Sequence, residues 1–293
     1  MKISIIIRTL NEARHLAELL STIAQQEIID PSPEVIVVDS GSTDATLEIA
    51  QSHGCHIIHI DRSEFSFGRS LNKGCAAAQG QILVIVSGHC IPVDNLWLHN
   101  LCRPIKDGLA DYVYGRQLGG AKSHFSESRI YAKYFPSESS IPQKGFYCNN
   151  ANSALERTIW EIHAFDENLT GLEDMDLAKR LIQAGGRVGY VAEAAVYHLH
   201  YESWNRIRRR FEREALALHA IMPEIFLNKR DVARYLVSSI LLDCKHARSN
   251  GGLQGHLKNI IKYRFWQYWG SFKGNSNHRK LSQRQKERYF YPQ

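Results

Sequence analysis

Four short, β-branched apolar runs at residues 3–7, 34–38, 56–60 and 82–86 alternate with segments whose apolar residues recur every three or four positions. This alternation restricts the chain to an α/β architecture with a parallel sheet, because parallel neighbours need a helical crossover between them. After the first run, Asn11 is placed to cap a helix carrying Leu16, Leu19, Leu20 and Ile23 on one face. After the second, Ser40-Gly41-Ser42 makes a tight turn, and Ser42 is placed to cap a helix carrying Leu47 and Ile49. Open parallel sheets bind ligands at the carboxyl edge of their strands, and polar residues gather there. Thr9, Asn11 and Glu12 follow the first strand, Asp39 ends the second, and Ser87-Gly88-His89 ends the fourth.

Beyond residue 111 the pattern loosens. Residues 112–114 read as strand and 123–145 as loop or lid, without clean periodicity. Helices are expected over 157–163 and 177–183, and strands over 187–191 and 194–197, so the α/β body ends near His200. Trp204, Ile207, Phe211, Ala215 and Leu218 then form a helical stripe stopped by Pro223. Further helices are expected over 232–247 and 253–268, with a polar, basic and mobile stretch over 273–288. Charge divides at the same place: residues 1–205 hold 17 Lys and Arg against 24 Asp and Glu, whereas 206–293 hold 19 against 6, a net +13. The expected organisation is a nucleotide-binding α/β body over 1–205 and a basic helical extension over 206–293. Three readings stay open for the extension: a solvated helical face, an oligomer contact, or a surface lying against anionic lipid headgroups.

Composition removes several classes. At 293 residues, 44 % hydrophobic and 23 % charged, the chain affords a sizeable core, and neither disorder nor a disulfide scaffold fits. The six cysteines form no C-x-x-C pair and read as reduced thiols. Dinucleotide-fold, P-loop, zincin and nucleophile-elbow motifs are all absent from the sequence. The apolar start is shorter than a signal h-region, and no later run approaches the roughly 20 residues that span a bilayer. A cytoplasmic protein is expected, the inner face of the membrane being the surface its basic third could meet.

Ile36-Val37-Val38-Asp39-Ser40-Gly41-Ser42-Thr43-Asp44, Ile85-Val86-Ser87-Gly88-His89-Cys90-Ile91-Pro92 and Gly171-Leu172-Glu173-Asp174-Met175-Asp176-Leu177, together with Arg8-Thr9-Leu10-Asn11-Glu12, resemble the family 2 glycosyltransferases of the GT-A fold. The resemblance covers about residues 1–200 in the family's order. It implies a Rossmann-like mixed sheet flanked by helices and an inverting transferase that takes a sugar from a nucleotide diphosphate donor. By the same resemblance, Thr9, Asn11, Glu12 and Asp39 lie on the nucleotide side, and Arg69 and Asn72 open a helix near the diphosphate or ribose. Asp174 is the implied general base, and Glu173 beside it a donor-sugar or acceptor candidate. Asn152 is the donor-sugar candidate, Trp160 a stacking wall or core residue, and His200 an acceptor candidate.

One departure stands out. The fourth strand of such proteins ends in Asp-x-Asp, whose last carboxylate binds Mn²⁺ or Mg²⁺, and here His89 takes that position. Imidazole suits Mn²⁺ better than Mg²⁺. His198, late in the fold, is the second candidate ligand. Asp174 is expected to stay ionised at neutral pH, the helix start offsetting its desolvation. The expected partners are a nucleotide-diphosphate sugar and a glycan or lipid-linked acceptor in cell-surface polysaccharide synthesis, with no nucleic acid. The rival readings are a sugar-nucleotide-forming nucleotidyltransferase and a non-catalytic nucleotide or glycan binder that has lost its metal site.

Overall fold

The apolar runs of the three central strands are buried on both faces, which only a sheet covered on two sides allows, whereas the run at 56–59 forms a more exposed edge strand. A computed structural model describes residues 1–27 and 31–276. In chain order the elements are β1 (Ile3–Thr9), α1 (Ala13–Ala24), β2 (Glu34–Asp39), α2 (Thr46–Ser52), β3 (His56–His59), α3 (Phe67–Ala77), β4 (Ile82–Ser87), β5 (Cys90–Pro92) and α4 (Trp97–Lys106). There follow β6 (Tyr112–Gly119), α5 (Phe125–Tyr134), β7 (Asn152–Glu156), α6 (Arg157–Ile162), α7 (Glu173–Gln183), β8 (Val188–His198), α8 (Trp204–Ile221), α9 (Lys229–Ser249) and α10 (Leu253–Ser276).

These elements fall into two compact units. The first holds Met1–Gly120, Tyr134–Asn168 and Glu173–Leu199; the second holds Ala121–Lys133, Leu169–Leu172 and the chain from His200. The first unit is built on a sheet of order β3-β2-β1-β4-β7-β6-β8-β5. Its first four strands are parallel, β7 runs antiparallel to β4 and β6, and β8 is parallel to β6. The sheet is therefore mixed. Register places Thr9 beside Asp39 and Arg8 beside Ser87, so the polar residues after β1, β2 and β4 share one edge. α1 buries Leu16, Leu19, Leu20 and Ile23, the face its periodicity gives.

The expected caps are replaced by tertiary ones. Asn11 does not cap α1: it adopts φ 57° and its Oδ1 accepts from Thr43 N–H (2.7 Å). Asp44 serves both helices, one oxygen accepting from Ala13 N–H and the other from Thr46 N–H (3.1 Å each). Ser42 is drawn away from α2, its hydroxyl accepting from Asn11 N–H. Residues 187–191 and 194–197 form one strand, β8, rather than two.

The second unit packs α8, α9 and α10 with α5. The segment read as loop contains α5 because its inward face is polar: Ser126 donates to Asp243, and Glu127 pairs with Arg210 at 2.8 Å. With Tyr131 as its single buried apolar residue, the helix gives hydrophobic periodicity little to register. α9 and α10 outlast their expected ends, and residues 273–276, expected to be mobile, close the last helix. The remainder of that stretch, 277–288, lies outside the described residues. Among the described residues no helix is long and apolar enough to cross a membrane.

Candidate active site

At the end of β4 the chain reads Ser87-Gly88-His89, and the small middle residue sets the geometry. A Cβ on Gly88 would lie 2.9 Å from Glu12 Cγ, so glycine leaves room for the Glu12 stem. Glu12 then reaches His89, Oε1 to Nδ1 2.8 Å. His89 Nε2 faces His198 Nε2 at 3.1 Å, and the rings stack with centroids 5.0 Å apart. His198 Nδ1 lies 2.7 Å from Gln117 Oε1.

The hydrogen-bond chain fixes the tautomers. Ala151 N–H donates to Asn149 Oδ1, which also accepts from Gln117 Nε2, so Gln117 turns its carbonyl oxygen to His198. His198 therefore donates through Nδ1, and His89 donates through Nδ1 to the Glu12 carboxylate. With both rings neutral, Nε2 of each would face the other, an arrangement suited to a shared proton or a divalent cation. Histidines that donate their second N–H to a carboxylate or carbonyl are arranged as metal ligands are. Two convergent imidazoles beside a carboxylate suit Mn²⁺ better than Mg²⁺.

Asp174 begins α7. Its Oδ2 accepts from Asn150 N–H and its Oδ1 from Met175 N–H, both at 2.8 Å. Asn149 and Asn150, adjacent in sequence, thus tie the histidine pair and Asp174 to one turn. Burial, then the neighbouring Glu173 carboxylate, push Asp174 up to about 7, against the two N–H donors and Arg8, which act to lower it. The expectation of a fully ionised carboxylate at neutral pH is corrected: desolvation outweighs the helix terminus here. Arg8 lies over the Phe67 ring at 4.7 Å, and its Nη1 is 3.7 Å from Glu173 Oε1. Arg8 Nη1 and Asn150 Nδ2 are buried donors with no hydrogen-bond partner among the described residues. Such groups suit an acceptor-rich ligand.

Other anticipated residues sit in protein-filled networks. Asp39 accepts from Thr9 Oγ1 (3.1 Å), from the Ser42 hydroxyl, and from Gly41 and Ser42 N–H (2.9 Å each), which fills the carboxylate. Arg69 Nε pairs with Glu167 at 2.7 Å. Asn72 donates to Phe165 O and Glu167 and accepts from Trp160 Nε1 and Phe165 N–H. Asn152, fully buried, accepts from Trp97 Nε1 and donates to the Arg116 and Ala194 carbonyls. Asn72→Ala should therefore lower stability by about 1–3 kcal/mol, read as a denaturant-midpoint shift at constant slope.

His200 belongs to the second unit. There it meets Tyr131 Oη and Glu127 Oε1, each at 3.1 Å. Burial would raise Glu127, but the His200 hydrogen bond and the Arg210 guanidinium overcome it and hold the carboxyl at about 2. Arg210 also pairs with Glu202 at 2.9 Å, so a guanidinium stands where a cation between these carboxylates would lie. Sequence reading singles out Asn152 within the run that begins at Asn149 and gives no role to Asn149, Asn150 or the distant Gln117. The only available signal was the asparagine-rich run 149–152, which does not say which member faces the site.

The family model described as Glycosyl transferase family 2 matches residues 4–161. Over 238 residues the chain is 30 % identical to the O-antigen chain rhamnosyltransferase RfbN of Salmonella typhimurium, covering 77 % of this chain and 74 % of that protein. It is 31 % identical over 202 residues to the O-antigen chain rhamnosyltransferase WbaN of Salmonella anatum, 64 % of this chain and 63 % of that one. A mannosyltransferase from Pyrobaculum calidifontis, solved in complex with GDP-Man and Mn²⁺, superposes with a TM-score of 0.63 at 18 % identity, covering 92 % of this chain and 84 % of its own. This likeness is one of fold, and the fold is of the GT-A type.

Proposed function

Because the chain belongs to glycosyl transferase family 2, we propose that it moves a sugar from a nucleotide diphosphate to a hydroxyl of a glycan or lipid-linked acceptor, inverting the anomeric centre, in cell-surface polysaccharide synthesis. Family membership favours sugar transfer over the nucleotidyltransferase and non-catalytic readings. The observation that carries the proposal is the Asn149–Asn150 turn, which joins the histidine pair to Asp174. The O-antigen rhamnosyltransferase relatives favour a deoxyhexose as the sugar.

In this reading Asp174 takes the proton of the acceptor hydroxyl as its oxygen bonds to the anomeric carbon, and the bond to the departing diphosphate breaks on the opposite face. Asn150 N–H and Met175 N–H fix the carboxylate's orientation. Glu173 raises its basicity, and Arg8 limits that effect. His89 and His198 would hold a divalent cation, with Glu12 and Gln117 orienting the rings; when bound it neutralises charge on the diphosphate. Thr9, Asn11, Asp39, Arg69 and Asn72 shape the nucleotide side, and Asn152 supports the sugar side from within the sheet. His200 is retained as an acceptor-side candidate.

A base must be ionised to act. With its pKa held up near 7, kcat/KM should rise with pH through about 7 and level above it. Release of nucleoside diphosphate from a panel of nucleotide sugars, with and without Mn²⁺ and across pH, tests both points. A chain that binds no nucleotide sugar under any of these conditions contradicts the proposal, and a flat profile from pH 5 to 9 would remove Asp174 as the base.

A further inference from the structure

In the second unit, α10 is apolar on two opposite sides. Ile260, Tyr263 and Gly270 are buried, and a Cβ on Gly270 would lie 2.3 Å from the Arg208 carbonyl oxygen, so this side seats on α8. At the α-helical repeat, Leu257, Ile261, Phe265 and Trp269 fall on the far side, where they are 40, 46, 45 and 41 % exposed. Phe265 and Trp269 stack with centroids 6.3 Å apart, and Trp269 meets Phe272 at 6.2 Å, so the stripe is continuous. α9 leaves Val237, Leu241 and Leu242 still more exposed. A continuous exposed apolar stripe beside cations marks an interaction surface.

The charge on α10 is of one sign. It carries Lys258, Lys262, Arg264 and Lys273 and no acidic residue. Asp243 of α9 occupies Arg264 (2.8 and 2.9 Å), and Lys262 lies over Trp204 at 4.6 Å. Lys258 and Lys273 are exposed on the helix that bears the stripe.

We propose that this face docks on an anionic lipid bilayer, with Leu257, Ile261, Phe265 and Trp269 entering the headgroup boundary and the lysines meeting lipid phosphates. A second copy fits less well, because its lysines would meet these with no carboxylate on α10 to pair them. Nucleic acid would satisfy the lysines and leave the stripe in water. The purpose of such docking rests on the lipid-linked acceptor proposed above. The docking itself is measured without donor or acceptor, so the two proposals fail separately.

The test is flotation of the full chain with phosphatidylcholine vesicles and with mixed phosphatidylcholine and phosphatidylglycerol vesicles. The chain should float with the mixed vesicles at low salt and not with the neutral ones. The double variant Phe265→Ser, Trp269→Ser should partition at least about tenfold less, since both rings supply apolar insertion. Trp269→Phe should keep flotation while losing part of the tryptophan quenching by bromolipids, a readout that survives if the double variant folds poorly. Absence of flotation, equal flotation of a folded double variant, or quenching unchanged in Trp269→Phe would overturn the proposal. So would a dimer in light scattering that the double variant abolishes in a chain that does not float, which would assign the face to self-association.

Discussion

Asp174→Asn is expected to reduce sugar transfer by two or more orders of magnitude while nucleotide-sugar binding is kept, the loss typical of a removed general base. The reasoning is local. Both carboxylate oxygens accept backbone N–H groups, from Asn150 and from Met175, so the side chain is held in one orientation. Asparagine keeps the shape and loses the basic oxygen; its amide nitrogen also faces one of those N–H groups, which loosens the turn or the first turn of α7. Removing one of two adjacent buried carboxylates relieves the repulsion with Glu173, which acts in the other direction on stability. Single-turnover transfer together with donor titration separates these effects. Transfer lost with binding intact supports a base, near-normal transfer refutes one, and loss of both would point to a collapsed turn.

His89→Ala and His198→Ala form the second pair. Each removes an Nε2 from the facing couple, and donor affinity in Mn²⁺ should fall at least about tenfold to a hundredfold, the range for disturbing a metal ligand set. In chelator the variants and the parent should bind donor alike. Gln117→Ala provides the check on positioning: His198 keeps its nitrogen and loses its orienting acceptor, so its defect should be smaller than that of His198→Ala. Calorimetric titration with a nucleoside diphosphate, with and without Mn²⁺, reads all three. Equal affinity of parent and histidine variants in Mn²⁺ would show that no ion is held between these rings.

The sequence made legible whatever depends on burial. β1, β2 and β4 carry fully buried apolar runs over 5–7, 36–38 and 82–86, α1 has a clean inner face, and strand ends follow from strand positions, so Asp39 and His89 fall on one edge by sequence alone. Glu173-Asp174 was placed at a helix start, and α7 begins there. Polar partnership was much less legible. α5 hides because Ser126 and Glu127 face inward, and its partners Asp243 and Arg210 are remote in sequence. Asn11 and Ser42 read as caps from local propensity, yet Asp44 wins both helix starts because two strand ends meet in space. Asn149 and Asn150 gain their roles from Gln117 and Asp174, contacts that no periodicity encodes. The ionisation of Asp174 is hidden for the same reason: the helix terminus is visible in one dimension, and the depth of burial is not.

Everything turns on whether the facing imidazoles and the turn-held carboxylate serve one ligand. Anomalous diffraction at the manganese edge, from crystals grown with Mn²⁺ and a nucleoside diphosphate, tests this most directly. The expected result is a manganese peak at His89 Nε2 and His198 Nε2, with the diphosphate on that ion and Asp174 lining the same cavity. A diphosphate seated elsewhere, or an ion bound away from both histidines, would contradict it.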